Sequence, residues 1–91
     1  MSKSATITVT IRNRLGLHAR PAMTFVETAG QYQSDIKVSR DDQTVDGKSI
    51  MQMMMLAATA GAKLEIKAEG PDADEAISAL KDLVDRGFDE N

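Results

Sequence analysis

The residue of this chain best able to do chemistry is its single histidine. His18 stands in Gly16-Leu17-His18-Ala19-Arg20-Pro21-Ala22, between an alternating stretch and one of helical periodicity. At the start of a helix, unpaired backbone N–H groups and the positive end of the dipole meet whatever the imidazole carries. Such an end is a ready anion site. Arg20 adds a permanent charge and a planar fork matched to phosphate oxygens. Pro21 costs no hydrogen bond in a first turn, but it disfavours α geometry at Arg20 and so allows a helix start one residue later. A nucleophilic imidazole, a helix N-terminus and an arginine together describe a phosphohistidine site, with the histidine as covalent carrier. On spacing alone, a loop histidine beside a surface arginine accounts for the same residues. Other chemistries fit less well. With no Cys, a lone His has only scattered Asp and Glu as partners, so no metal and no cofactor are expected. A Ser-His-Asp triad lacks a Gly-x-Ser-x-Gly elbow, and 91 residues leave little room for a substrate cleft.

A second cluster lies at Asp46-Gly47-Lys48-Ser49-Ile50-Met51. Gly47-Lys48-Ser49 is not a P-loop, because Asp42 occupies the position where that motif needs its first glycine. Ser49 followed by Gln52 reads as a capping box opening a short helix to about Ala57. That helix is apolar nearly all round (Ile50, Met51, Met53, Met54, Met55, Leu56), so a small domain must leave part of it exposed. Met53 and Leu56 are assigned to the core. Ile50, Met51 and Met54 are assigned to a docking surface, where flexible thioethers suit several partners. The acidic residues Asp72, Asp74, Glu75, Asp82 and Asp85 read as a solvated helix face.

The elements that must position these residues are legible from periodicity. Ala5 to Ile11 alternates, with Ile7, Val9 and Ile11 on one face and threonines on the other: a half-buried strand. Ala19, Ala22, Met23, Val26 and Ala29 have helical spacing, closed by Gly30. Ile36 and Val38, then Val45, mark two short strands around the loop Arg40-Asp41-Asp42-Gln43. Leu64, Ile66 and Ala68 alternate with charged residues in a fourth strand. Ala73, Ala76, Ile77, Leu80, Leu83 and Val84 form the stripe of a last helix, capped by Asp72 with Glu75. Gly87 suits a left-handed C-terminal position, with Phe88 folding back on Val84. The order strand-helix-strand-strand-helix-strand-helix predicts an α+β open-faced sandwich, a largely antiparallel four-stranded sheet covered on one face by three helices. No repeat, linker or low-complexity stretch divides residues 1–91, so one domain is expected.

Net charge −3 and a pI near 5.0 argue against nucleic acid as partner, and three aromatic residues make no stacking platform for bases. No apolar run approaches the roughly 20 residues of a membrane span, and Met1-Ser2-Lys3-Ser4 leads directly into the first strand without a signal-peptide core. A cytoplasmic, monomeric protein away from membranes is the expectation.

Gly16-Leu17-His18-Ala19-Arg20-Pro21-Ala22 resembles the active-site signature of HPr, the histidine-containing phosphocarrier of the bacterial phosphotransferase system. Asp46-Gly47-Lys48-Ser49-Ile50-Met51 resembles that family's second signature, around a regulatory serine. Ala68-Glu69-Gly70-Pro71-Asp72 resembles its approach to the last helix, so the likeness runs over essentially the whole chain. It implies a phosphoryl group accepted on Nδ1 of His18 from phosphorylated enzyme I and passed to a histidine of an enzyme IIA domain. By the same resemblance Arg20 supports the phosphate and Ser49 is a target of HPr kinase/phosphorylase. Ile50, Met51 and Met54 correspond to the patch that meets these partners. The protein would be a carrier, not a free-standing catalyst; a regulatory module governed by Ser49 phosphorylation is the alternative. Leu15 stands where many sugar-system members have Ser or Asn. Asn13-Arg14-Leu15-Gly16 and Gly87-Phe88-Asp89-Glu90 are more similar to NPr, the nitrogen-related branch.

Overall fold

Alternation at the amino-terminal side becomes strand β1 (Lys3–Thr10), and the helical spacing after it becomes α1 (Ala19–Ala29). Then follow β2 (Asp35–Arg40), β3 (Gln43–Asp46), α2 (Ile50–Met55), β4 (Lys63–Gly70) and α3 (Ala73–Asp85), with a short 3-10 turn at Gly87–Asp89. This computed structural model describes residues 3–90; Met1 and Ser2, part of the amino-terminal stretch read above, and Asn91 lie outside the described residues.

The sheet has the order β1-β4-β2-β3, and every pairing is antiparallel. Chain order does not give this arrangement: β4, the last strand, enters the middle between β1 and β2. Its alternation suits that place. Leu64, Ile66 and Ala68 are buried on one face while Lys63, Glu65, Lys67 and Glu69 face solvent on the other. Val9, Ile36, Val38 and Val45 extend the apolar face into the flanking strands. The three helices cover it, with Ala22, Phe25 and Ala29 from α1, Met53 from α2, and the stripe Ala73, Ala76, Ile77, Leu80, Leu83 and Val84 from α3.

Two caps differ from expectation. Asp72 stands at the N-cap of α3 but makes no cap hydrogen bond. Its carboxylate instead accepts from the Gln33 N–H at 2.8 Å, the Ser34 N–H at 2.9 Å and the Ser34 hydroxyl at 2.5 Å. Ser34 is fully buried, and an unpaired hydroxyl there would be costly, so the acid satisfies the loop before β2 rather than its own helix. These bonds, the Ser34 hydroxyl first, hold the Asp72 carboxyl below the usual carboxylate range. The capping box of α2 is half formed. Ser49 Oγ accepts from the Gln52 N–H at 3.3 Å, but the Gln52 side chain accepts from Asp46 N–H at 2.9 Å instead of reaching back to Ser49. At the end of α3 the left-handed expectation holds: Gly87 has φ +66°, and Phe88, also left-handed, is buried in the core.

Candidate functional site

The segment joining β1 to α1 is closed by its own backbone and braced by a distant one. The Gly16 N–H donates to Asn13 O at 3.1 Å, and Asn13 Nδ2 donates to Gly16 O at 2.6 Å. The Leu17 N–H reaches across to Ala58 O at 2.8 Å, in the segment after α2. Gly16 has φ +71°, and a Cβ there would stand 2.5 Å from the Ala58 carbonyl oxygen. A glycine is therefore required on both counts. This turn delivers His18 to the N-cap of α1 in extended conformation, φ −79° and ψ −171°.

The helix begins at Ala19, not a residue later. The His18 carbonyl accepts the Ala22 N–H at 3.0 Å, and Pro21 lies inside the first turn with its ring buried. Burial of that ring offsets the bias against α geometry at Arg20. The Ala19 and Arg20 amides, at the open end of the helix, have no intrahelical acceptor. The His18 side chain makes no cap bond, so it leaves that end uncovered. Arg20 is exposed on the first turn and makes no ion pair among the described residues.

The imidazole instead meets a residue 72 positions away. His18 Nε2 lies 3.1 Å from Glu90 Oε1, and the same oxygen accepts from Asn13 Nδ2 at 3.0 Å. The His18 hydrogen bond holds the Glu90 carboxyl below the usual range, with Asn13 and the charge of Arg20 acting in the same direction and burial opposing them. An ionised carboxylate only accepts, so in the neutral ring this contact favours the tautomer with the proton on Nε2 and the lone pair on Nδ1. His18 is partly open to solvent, at 38%, while Glu90 is 20% exposed. Sequence reasoning assigned no role to Asn13 or Glu90. They lie in stretches 13–16 and 87–90, where the sequence reading concerned a family resemblance and a helix end, and no local periodicity announces that they meet.

Ser49 holds the N-cap of α2, as its residue type implies. On that helix Met53 is buried, whereas Met51, Met54 and Met55 are exposed. Ile50 is half-buried and packs against the core, so it offers less to a partner than Met51 or Met54. The exposed apolar surface extends beyond the expected docking residues to Met55, to Leu15 in the histidine segment and to Met23 on α1. Arg40 fixes the far end of α2 by donating from Nη1 to Leu56 O at 2.9 Å and Ala57 O at 2.8 Å. A shallow groove lined by Tyr32, Asp74, Glu75, Ser78, Ala79 and Asp82 includes none of the candidate site residues. Among the described residues no group of three or more His, Asp or Glu is placed to hold a metal ion, and no helix is long and apolar enough to cross a membrane.

Comparison with known proteins gives the family and the fold. Residues 5–86 match the model of a protein family described as the PTS HPr component phosphorylation site. The phosphocarrier protein HPr of Pseudomonas aeruginosa is 51% identical over 83 residues, covering 90% of this chain and 92% of its own. The phosphocarrier protein NPr of Klebsiella oxytoca is 40% identical over 85 residues, covering 92% and 94%. Among solved structures, an HPr from Thermoanaerobacter tengcongensis superposes with a TM-score of 0.92 at 45% identity, over 96% of this chain and 98% of that one.

Proposed function

Because this chain belongs to the HPr family of phosphocarriers of the phosphotransferase system, we propose that His18 takes a phosphoryl group on Nδ1 from phosphorylated enzyme I and passes it to a histidine of an enzyme IIA domain. The observation that supports this reading best is the engagement of Nε2 by Glu90 at the mouth of a helix N-terminus. The Nδ1 lone pair attacks phosphorus, the bond to the donor breaks, and its electron pair stays with the donor. The new phosphoryl oxygens lie at an end that attracts anions, with the Arg20 guanidinium on the same turn available as a charged donor. Onward transfer reverses these steps, the electron pair of the P–N bond returning to Nδ1. The chain supplies a carrier, and its partners supply the rest of the transfer machinery. It works in the cytoplasm as a monomer, with Met51 and Met54 as the centre of the docking surface and Ile50 at its edge.

Incubated with enzyme I and phosphoenolpyruvate, the protein gains one acid-labile, base-stable phosphoryl group, and His18→Ala gains none. Equal labelling of the alanine variant would overturn the assignment.

A second reading is favoured by the position of Ser49, whose Oγ lies at the N-cap of α2 beside the exposed Met51. A kinase of the HPr kinase/phosphorylase type would place a phosphate there without unfolding the helix. It would also put about two negative charges beside the apolar docking residues. Incubation with such a kinase and ATP gives a Ser49 phosphoester in the parent and none in Ser49→Ala.

A further inference from the structure

The carboxylate at His18 comes from outside residues 5–86, the stretch matched by the family model. Its position is fixed from two sides. Asn13 is only 3% exposed, and its Oδ1 is buried without a partner while Nδ2 serves both Gly16 O and Glu90 Oε1. Reversing that amide would set Oδ1 against a carbonyl and a carboxylate, so the two acceptors dictate its orientation even though an acceptor is left unsatisfied. Glu90 is itself tied back through its N–H to Gly87 O at 3.0 Å. A surface carboxylate beside a histidine would need neither device.

The charge balance of the reaction gives this arrangement a purpose, provided His18 carries phosphate on Nδ1 as proposed above. The form of the ring that can react is neutral, with its proton on Nε2 and the lone pair on Nδ1. When Nδ1 shares its lone pair with phosphorus no proton leaves, so the ring acquires one positive charge. That charge is spread over the ring and reaches Nε2, 3.1 Å from Glu90 Oε1. We infer that Glu90, oriented by Asn13, is a positioning residue that keeps the ring proton on Nε2 and compensates the charge formed when Nδ1 bonds phosphorus. Besides the His18 hydrogen bond, the charge of Arg20 acts on this carboxylate. Arg20 serves the phosphate, which leaves Glu90 as the counter-charge for the ring.

Charge and hydrogen bond can be separated. Glu90→Gln keeps an oxygen that can accept from Nε2 but removes the charge, whereas Glu90→Ala removes both. A charge-assisted bond is about twice as strong as a neutral one, so loss of the charge lowers the phosphorylation equilibrium constant roughly tenfold at low salt. The experiment equilibrates the full chain and each variant with enzyme I at a fixed ratio of phosphoenolpyruvate to pyruvate. Phosphorylated fractions are measured, and nitrogen NMR of the His18 ring is recorded before phosphorylation. The expected result is a lowered constant in both variants. Glu90→Gln retains the Nε2–H signature, and Glu90→Ala shows a larger share of the Nδ1–H form. If the parent is phosphorylated and Glu90→Gln reaches the same equilibrium, the charge role of Glu90 is overturned while the carrier reading stands. If Glu90→Ala leaves the ring spectrum unchanged, the positioning role is overturned. If the parent takes up no phosphate on His18, the carrier reading fails and the Glu90 role falls with it.

Discussion

Met53 and Met54 are neighbours on one short helix and face opposite environments, which makes them the sharpest test of how α2 is divided between core and docking surface. Met53 is 0% exposed and Met54 is 46% exposed. Truncating a buried methionine to alanine costs about 2–5 kcal/mol, a large share of the roughly 5–14 kcal/mol expected for 91 residues. At about 4–8 °C per kcal/mol for a domain of this size, a mid-range loss lowers the melting temperature by roughly 15–25 °C. Met53→Glu does more, because it introduces an uncompensated charge as well as removing packing. Met54→Glu leaves its charge in water, so stability changes by no more than about 0.5 kcal/mol and the melting temperature by a few degrees. The new carboxylate would still have to be desolvated by any partner covering the helix, so phosphorylation of His18 by enzyme I slows in this variant at sub-saturating carrier. Thermal melts followed by circular dichroism, paired with phosphorylation rates over a range of carrier concentrations, read both effects. Equal losses of melting temperature in Met53→Glu and Met54→Glu would refute the division of faces. A Met54→Glu variant with parental kinetics would refute the docking role.

Ser49→Asp keeps the circular dichroism spectrum of the parent and slows uptake of phosphate at His18. Ser49→Ala transfers almost normally and loses about 1 kcal/mol of cap stability in urea unfolding. If Ser49→Asp is phosphorylated as fast as the parent, Ser49 acts only as a helix cap. Arg20→Ala, an exposed change on the first turn of α1, melts like the parent but transfers phosphate more slowly, because a charged donor to the phosphoryl oxygens is gone; parental transfer rates would remove Arg20 from the site. The Asp72 carboxyl is held below its ordinary value of 3.8 by the Ser34 hydroxyl and the Gln33 amide. Its contribution to stability is therefore complete above that value and is lost as pH falls through the depressed one. Asp72→Asn is less stable than the parent at neutral pH and shows a shallower decline in urea midpoint on acidification, whereas parallel pH profiles would show that the carboxylate does not stabilise the loop before β2.

What the sequence determined by itself is local. Residue type and spacing placed His18 at the mouth of α1, Ser49 at the cap of α2, the buried stripe on α3 and the wet face of β4, because each depends on backbone propensities and side-chain periods within a few residues. The left-handed Gly87 was legible for the same reason. Tertiary structure decided what depends on distance along the chain. The entry of β4 between β1 and β2 is a pairing among distant strands that no single window contains, since β1 and β4 carry similar apolar alternation. Asp72 and Gln52 look like partners of their own helices, yet each turns to a polar group in another segment, because the buried Ser34 claims the Asp72 carboxylate and the Asp46 amide claims the Gln52 side chain. The contact of Glu90 with His18 and Asn13 belongs to this second class. It joins residues 72 and 77 positions apart, and it exists only because α3 packs on the sheet and returns the chain to the end of the helix that carries the histidine.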